Sequence, residues 1–437
     1  MVDWKKEITL SDLRRKKKEA GPDTTEQPEP EEPKTEKTSL LKKELSFSFR
    51  RRPKPTVEED HAEEPAPKKA RSKRRRDPSA PKRAKRVVGL KIGASQLAAA
   101  RIVNNGAPEL VQIARQDLDP GLVVGGELRE PELLVEALRA FFRKHRLPRQ
   151  GVRLGIANNR IGVRIFEIAG ITDPRQLENA IRFRAQEALP IPIEEAVLDY
   201  HVLGERVDAE GNTLRRILLV VAYRELIDRY VSACKKAGIR LAGIDLEAFA
   251  LLRALAEPRV EEDVVENDAA LVVVAIGHER STFAVSNGRV CEFTRVLDWG
   301  GATLDVAIAR ELDVAPSEAA PFKHELALTV TNVPEGLTQE QANAAREAVR
   351  RQLQAFAREL VSSLQFYQNQ PGSLGIGEIV ITGGTAHLAG LAEELQRLIG
   401  VQVTVGDPLT RVKLGRKVRE TEQLGSLTVA IGLGIED

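Results

Sequence analysis

The chain has 437 residues, of which 66 are Lys or Arg and 64 are Asp or Glu, a formal charge of +2. The near-neutral sum hides a split: residues 1–86 carry 26 basic and 17 acidic side chains, residues 87–437 carry 40 and 47. This length exceeds one ordinary domain. Cys234 and Cys291 have no second cysteine or histidine at ligand spacing, which speaks against a disulfide framework or a zinc site, and no apolar run reaches a secretory leader or a bilayer span. The expectation is a cytoplasmic chain with a basic arm on an acidic body.

The arm, 1–86, reads as disordered. Residues 17–38 and 53–86 are dense in Pro, Glu, Lys and Arg and bury too little apolar surface to offset the entropy of ordering. The polybasic run Lys68 to Arg76 reads as a solvated spacer near an anionic surface. One phrase is written twice, over 4–16 and 41–52: Trp4-Lys5-Lys6-Glu7-Ile8-Thr9-Leu10-Ser11 matches Leu41-Lys42-Lys43-Glu44-Leu45-Ser46-Phe47-Ser48, and each copy closes on arginines. Ile8 and Leu10, and Leu45, Phe47 and Phe49, alternate with polar residues, a period that suits an added β-strand. The reading is two tethered docking motifs, Trp4 included, for one kind of site on a partner or in the body's own groove. The alternative is a pair of membrane-touching segments on anionic inner-leaflet lipid. Nucleic acid is disfavoured, because acids interleave with the bases of the arm and no RNA- or DNA-binding fold follows.

The body begins near Val87. VVGLKIGASQLAAARIV predicts strand, Gly93-Ala94-Ser95 turn and strand, and PELVQIARQDL a third strand. An amphipathic helix follows at about 130–145, then strands around VRLGIAN and VRIFEIAGI, and a helix from Pro174 to Ala188 capped by Asp173. AVLDYHVL and LRRILLVVAY predict two strands, RELIDRYVSACKKAG a helix, and RLAGIDLEAFALLRAL a return to the first layer. The opening pattern then recurs: ALVVVAIGHERSTFAVSNGRVCEFTRVL is strand, glycine turn, strand, turn and strand. A helix at GGATLDVAIARELDV, a long helix from Thr338 to Gln368, the strand EIVITGG, the helix HLAGLAEELQRLIG, the strand VQVTVGDP and the helical stretch SLTVAIGLGI complete the chain. The domains read from this pass are 87–161 with 241–268, an inserted subdomain at 162–240, and 269–437.

Two halves that each begin with a glycine-turn hairpin point to two domains facing one cleft. Such turns, LKIGAS and VVAIGHERST, can present backbone N–H groups to a polyphosphate from both sides, and Gly383-Gly384 in VITGGTAHLAGL can close around a nucleoside. His278 beside Glu279 reads as a polar turn facing solvent, and the remaining histidines lack metal spacing. Ser95 has no histidine or lysine pattern to activate it.

These motifs, with FTRVLDWGGATLDVAIARELDVAPSEAAPFKHE and GGTAHLAGLAEELQRLIGVQVTVGDP, resemble the actin-like ATPase superfamily, specifically the type IV pilus assembly PilM family, relatives of the division protein FtsA. The resemblance covers about 87–435 and implies an α/β, ribonuclease H-like two-domain fold with an extra subdomain. It implies a first phosphate loop at Gly93, Ala94, Ser95 and Gln96, entered from Lys91. The second would be Gly277 to Thr282, with His278, Ser281 and Thr282, and the adenosine loop Gly383, Gly384 and Thr385. Lys323 would contact ribose or base. The family's two metal-positioning aspartates are replaced by Lys91 and Ala275, and Ala320 stands where the family often has Glu. These replacements favour a purely structural cleft over one that binds ATP or ADP without tightly bound Mg²⁺, and either over hydrolysis. No catalytic residue and no protein metal ligand follow.

The resemblance implies a scaffold under the inner membrane that grips the N-terminal peptide of a PilN-like membrane protein, in a groove among Val152–Ile165 and Val197–Val221. For the arm motifs two sites stay open, one on a pilus motor ATPase and one in the body's own peptide groove. The alternatives are an ATP-driven cytomotive protein and the cytoplasmic component of a type II secretion-like system.

Overall fold

The computed structural model describes residues 85–436 apart from 172, 189–191, 208–210, 257–268, 289, 331, 371, 417 and 419–423. The arm through residue 84 lies outside them, with both copies of its motif and the side chains of Trp4, Ile8, Leu10, Leu45, Phe47 and Phe49, while Lys85 and Arg86, expected in the arm, already belong to the first strand.

Strands β1 (Lys85–Ile92), β2 (Gln96–Asn105) and β3 (Ala107–Asp117) form the expected antiparallel meander. A short hairpin, β4 (Val123–Val124) with β5 (Glu127–Leu128), leads into α1 (Pro131–Lys144). Proline opens this helix, and Leu134, Leu138, Phe141 and Phe142 recur on its inner face. Strand β6 (Gln150–Ile156) pairs parallel with β1 and with β10 (Arg240–Leu246), and β16 (Lys413–Leu414) pairs with β3. The first sheet therefore runs β10-β6-β1-β2-β3-β16.

Between β6 and β10 lies a separate antiparallel sheet, β7 (Ile161–Ala169), β9 (Thr213–Tyr223) and β8 (Ala196–Val207) in that spatial order. Helix α2 (Pro174–Ala188) covers one face, where Leu177, Ile181 and Ala185 meet Ile168, Ile217 and Leu219. Asp173 caps it: Oδ1 accepts the N–H groups of Arg175 and Gln176, both at 2.9 Å. The next helix, α3 (Arg224–Lys236), packs elsewhere. It places Leu226, Tyr230, Ala233 and Cys234 in the core of the first sheet, which Val163 and Leu218 of the inserted sheet also enter.

The second sheet is built from β11 (Ala269–Ile276), β12 (Ser281–Ser286), β13 (Cys291–Leu297), β14 (Gly375–Thr382) and β15 (Val403–Val405), in the order β13-β12-β11-β14-β15. Its helices, in chain order after α4 (Glu247–Leu255), are α5 (Gly301–Leu312), α6 (Pro316–Glu325), α7 (Gln339–Gln368) and α8 (Leu391–Ile399). Thr338 and Gln341 form a capping box at the start of α7: Thr338 Oγ1 accepts at 3.2 Å and Gln341 Oε1 at 3.0 Å.

Two short helices join the halves. Helix α4 and the last helix, α9 (Thr428–Gly434), cross between the sheets. Ala250, Leu251, Val429 and Leu433 meet Val273, Ala275 and Ala284 of the second sheet, while Ala430 and Ile431 meet Ala98, Ala100 and Ile102 of the first. A Cβ on Gly432 would lie 1.8 Å from the carbonyl oxygen of Ala250, so only glycine lets these helices approach. Among the described residues no helix is long and apolar enough to cross a membrane.

Candidate functional site

The two meanders close their turns in the same way. Gly93 N–H donates to Gln96 O at 2.9 Å, and Gly277 N–H donates to Arg280 O at 2.9 Å. Both turns open on one cleft of about 730 Å³, whose wall includes Lys91, Gly93, Ala94, Ser95 and Gln96 from the first half. The second half supplies Ala275, Gly277, His278, Lys323, Gly383, Gly384 and Thr385. Residues more than 290 positions apart thus meet around one space, as the repeated hairpins imply. Thr385 stitches two of the turns together by donating its hydroxyl to Gly277 O at 3.1 Å.

Two expected residues do not join this lining. Ser281 and Thr282 are buried in β12; Ser281 Oγ donates to Trp299 O at 2.7 Å, and Thr282 borders a small space behind the strand. The reason is the period of a strand: once the turn closes at Arg280, both side chains are committed to packing against neighbouring layers. A further expectation changes at Glu279, which does not face solvent freely: Oε2 accepts the N–H of Gly125 at 2.9 Å.

The lining also holds residues that the sequence did not single out. Arg115 and Asp117 come from the end of β3, and His387, Ser426, Thr428 and Val429 come from the turns around β14 and α9. Arg115 and Asp117 had a legible signal, since residues two apart at a strand end face one way. Nothing local marks Thr428, whose hydroxyl sits 2.7 Å from that of Thr382 in the buried floor. His387 is held below the ordinary imidazole pKa by burial, then by the charge of Arg115, so it is neutral near pH 7.

Lys91 and Lys323 are both spoken for. Lys91 Nζ lies 3.1 Å from Glu247 Oε2, a carboxylate 8% exposed at the start of α4. Lys323 Nζ is 2.7 Å from Asp305 Oδ1 and donates to Gly301 O at 3.3 Å, and both side chains of that pair are under 10% exposed. A lysine so engaged anchors α6 to α5 from within the cleft lining. Ala275 presents a methyl group, 5% exposed.

Magnesium would need hard oxygen ligands beside the phosphates. At the two positions two residues before the turn glycines there stand an ammonium and a methyl group, so these residues do not fit the metal.

A second concavity, about 810 Å³, lies between α1, α3 and the single turn Ile193–Glu195 that precedes β8. Glu132, Glu194, Tyr223, Arg224, Asp228 and Ser232 are among its walls. Its lining takes no residue from Val152–Ile165 or Val197–Val221, the segments expected to form a peptide groove, and comes from the start of α1, the turn before β8, Tyr223 and α3. Arg224 fixes the turn by donating to Glu194 O at 3.1 Å and Ala196 O at 2.8 Å. Lys236 is paired with Glu132 at 2.5 Å.

The model of the family described as type IV pilus assembly protein PilM matches residues 89–437. The chain belongs to that family. The cell division protein FtsA of Escherichia coli strain K12 is 27% identical over 239 residues, covering 50% of this chain and 55% of that protein. FtsA of Shigella flexneri is also 27% identical over 239 residues, covering 50% of this chain and 53% of its own length. The chain thus spans about half the length of these curated relatives. Among solved structures, one described as a PilM-PilN type IV pilus biogenesis complex is 26% identical with a TM-score of 0.66, covering 80% of this chain and 97% of that chain. With two sheet-and-helix halves around one cleft and a sheet inserted in the first, the fold is actin-like, of the PilM type.

Proposed function

We infer that the chain is a scaffold of a type IV pilus assembly machine that binds the cytoplasmic N-terminal segment of a PilN-like membrane protein, and that its cleft does not hydrolyse nucleotide. The family and the likeness to a PilM-PilN complex support the pilus-assembly role. The observation that carries the non-hydrolysing reading is the pair of cleft-lining residues Lys91 and Ala275, with Lys91 held 3.1 Å from Glu247. Metal-assisted phosphoryl chemistry needs carboxylates to hold the ion and its waters, and here neither residue two positions before a turn glycine is one; Asp117, at the end of β3, is the carboxylate in the lining.

The concavity between α1 and α3 supports the partner-binding half of the reading. It has the size of a pocket for a few side chains, and its mouth is set by the inserted sheet through the Arg224 bonds. The partner segment enters there in extended form, and the inserted sheet forms one bank. In this account the protein sits at the inner face of the cytoplasmic membrane because its partner is anchored there.

The test is capture of a peptide with the sequence of the cytoplasmic N-terminus of the PilN-like protein by the full chain. Ser232→Arg, which fills the concavity from an exposed position on α3, is expected to weaken capture at least tenfold. Undiminished capture by that variant overturns the assignment of the groove.

A further inference from the structure

The hairpin of β4 and β5 is held between α3, which walls one concavity, and the second glycine turn, which lines the other. Its strands pair only at Val123 with Leu128 and Val124 with Glu127, so its tip, Gly125-Gly126, depends on neighbours for its position. Both tip residues have positive φ, 59° and 69°, the geometry of a tight two-residue hairpin turn that glycine adopts freely.

On one side the hairpin is fastened to α3. Tyr230 Oη donates to Gly126 O at 3.2 Å, Arg229 donates to Leu128 O at 3.4 Å, and Val123 and Leu128 share a core with Leu226 and Tyr230. Tyr230 is 4% exposed, so its hydroxyl is committed to this bond. The same helix turns Arg229, Ser232 and Ala233 toward the α1–α3 concavity.

On the other side the tip is fastened to the second glycine turn. Gly125 N–H donates to Glu279 Oε2 at 2.9 Å, and the guanidinium of Arg280 lies so close over the tip that a Cβ on Gly125 would sit 2.9 Å from its Nη2. Arg280 is held by Asp298 at 2.9 Å, which also accepts from Asn159 Nδ2 at 3.1 Å, and Asn158 Nδ2 donates to Gly125 O at 3.1 Å. Gly277 and His278, next to Glu279, line the cleft, and their carbonyls accept the N–H groups of Gly301 and Ala302 at the start of α5.

We propose that the 123–128 hairpin is a mechanical coupler between the two concavities: a ligand that displaces α3 shifts Gly125-Gly126 and through Glu279 and Arg280 re-aims the second glycine turn, and a ligand in the cleft acts back on α3 by the same route. The proposal rests on the reading of the α1–α3 concavity as the partner site, but the bonds that define the coupler are independent of it. Coupling between sites must be reciprocal, and a chain of contacts earns the name only when a change at one end is felt at the other.

The experiment is hydrogen exchange on the full chain with no ligand, comparing the parent with Tyr230→Phe, which deletes the hydroxyl and keeps the packed ring. Exchange at residues 276–282 is expected to accelerate about fivefold, the size of one ordinary hydrogen bond, although the Tyr230 hydroxyl is bonded to Gly126 and not to any of them. Tyr367→Phe, which removes a buried hydroxyl bonded to Glu292 elsewhere, is the control and leaves 276–282 unchanged. Should Tyr230→Phe fail to fold, Glu279→Ala is read in the opposite direction, at 226–234. Acceleration at the far end in either variant supports the coupler. Acceleration confined to the mutated end overturns it, and because no partner is added, that result leaves the peptide-groove reading untouched.

Discussion

The first and second glycine turns are built alike and used differently. Each joins two antiparallel strands, each closes with one N–H to carbonyl bond of 2.9 Å, and each lines the same cleft. Around the first turn the charge is settled at close range, Lys91 of β1 against Glu247 of α4, which follows the edge strand of the same sheet. Around the second, position 275 is an alanine in the packed centre, and the charged residues Glu279 and Arg280 lean across to the hairpin tip of the opposite half. Equal backbones do not make equal sites. What distinguishes a hydrolytic loop from a structural one is where the side chains next to the glycines find their partners.

The largest effect expected from breaking this contrast is at the first turn. Lys91→Met leaves the buried Glu247 carboxylate without its counter-charge and should cost about 3 kcal/mol in urea unfolding, while adding Glu247→Gln should recover most of that loss. Equal losses in the single and double variants would mean that the pair is not the source. At the second turn, Glu279→Ala removes one charge-assisted bond on a half-buried side chain and should cost about 1.5 kcal/mol by the same assay.

A smaller effect concerns the floor they share. His387 has its pKa depressed from 6.5 in the folded protein by burial and by Arg115. The unfolded chain therefore binds the proton first. The contribution of this group is complete above pH 6.5 and is lost as pH falls from 6.5 toward the lower folded value. Replacing His387 with Asn should flatten the pH dependence of unfolding in that window, and an unchanged slope would assign it to other groups.

Much of this contrast was legible before any coordinates. Strand alternation and turn glycines announced both meanders, and Asp173 announced its helix, because these signals act between residues close in sequence. Helix α6 escaped because Pro321 interrupts it and its apolar residues have little helical order. Strand β16 escaped because two residues, Lys413 and Leu414, carry no period. Lys91 was flagged by the residue it replaces, but its partner Glu247 is 156 positions away and had no motif to mark it. Glu279 looked like a solvent-facing turn residue for the same reason: its acceptor role is defined by Gly125 N–H in the other half.

The central claim is that a PilM-family chain with Lys91 and Ala275 at its cleft serves as a scaffold without turning over nucleotide. The direct measurement is phosphate release from ATP by the full chain, in Mg²⁺ and in EDTA, beside the same chain carrying Lys91→Asp and Ala275→Asp. The account predicts release no faster than a heat-denatured control for the parent in either condition, and metal-dependent nucleotide binding only in the double variant. Sustained Mg²⁺-dependent turnover by the parent chain would contradict it.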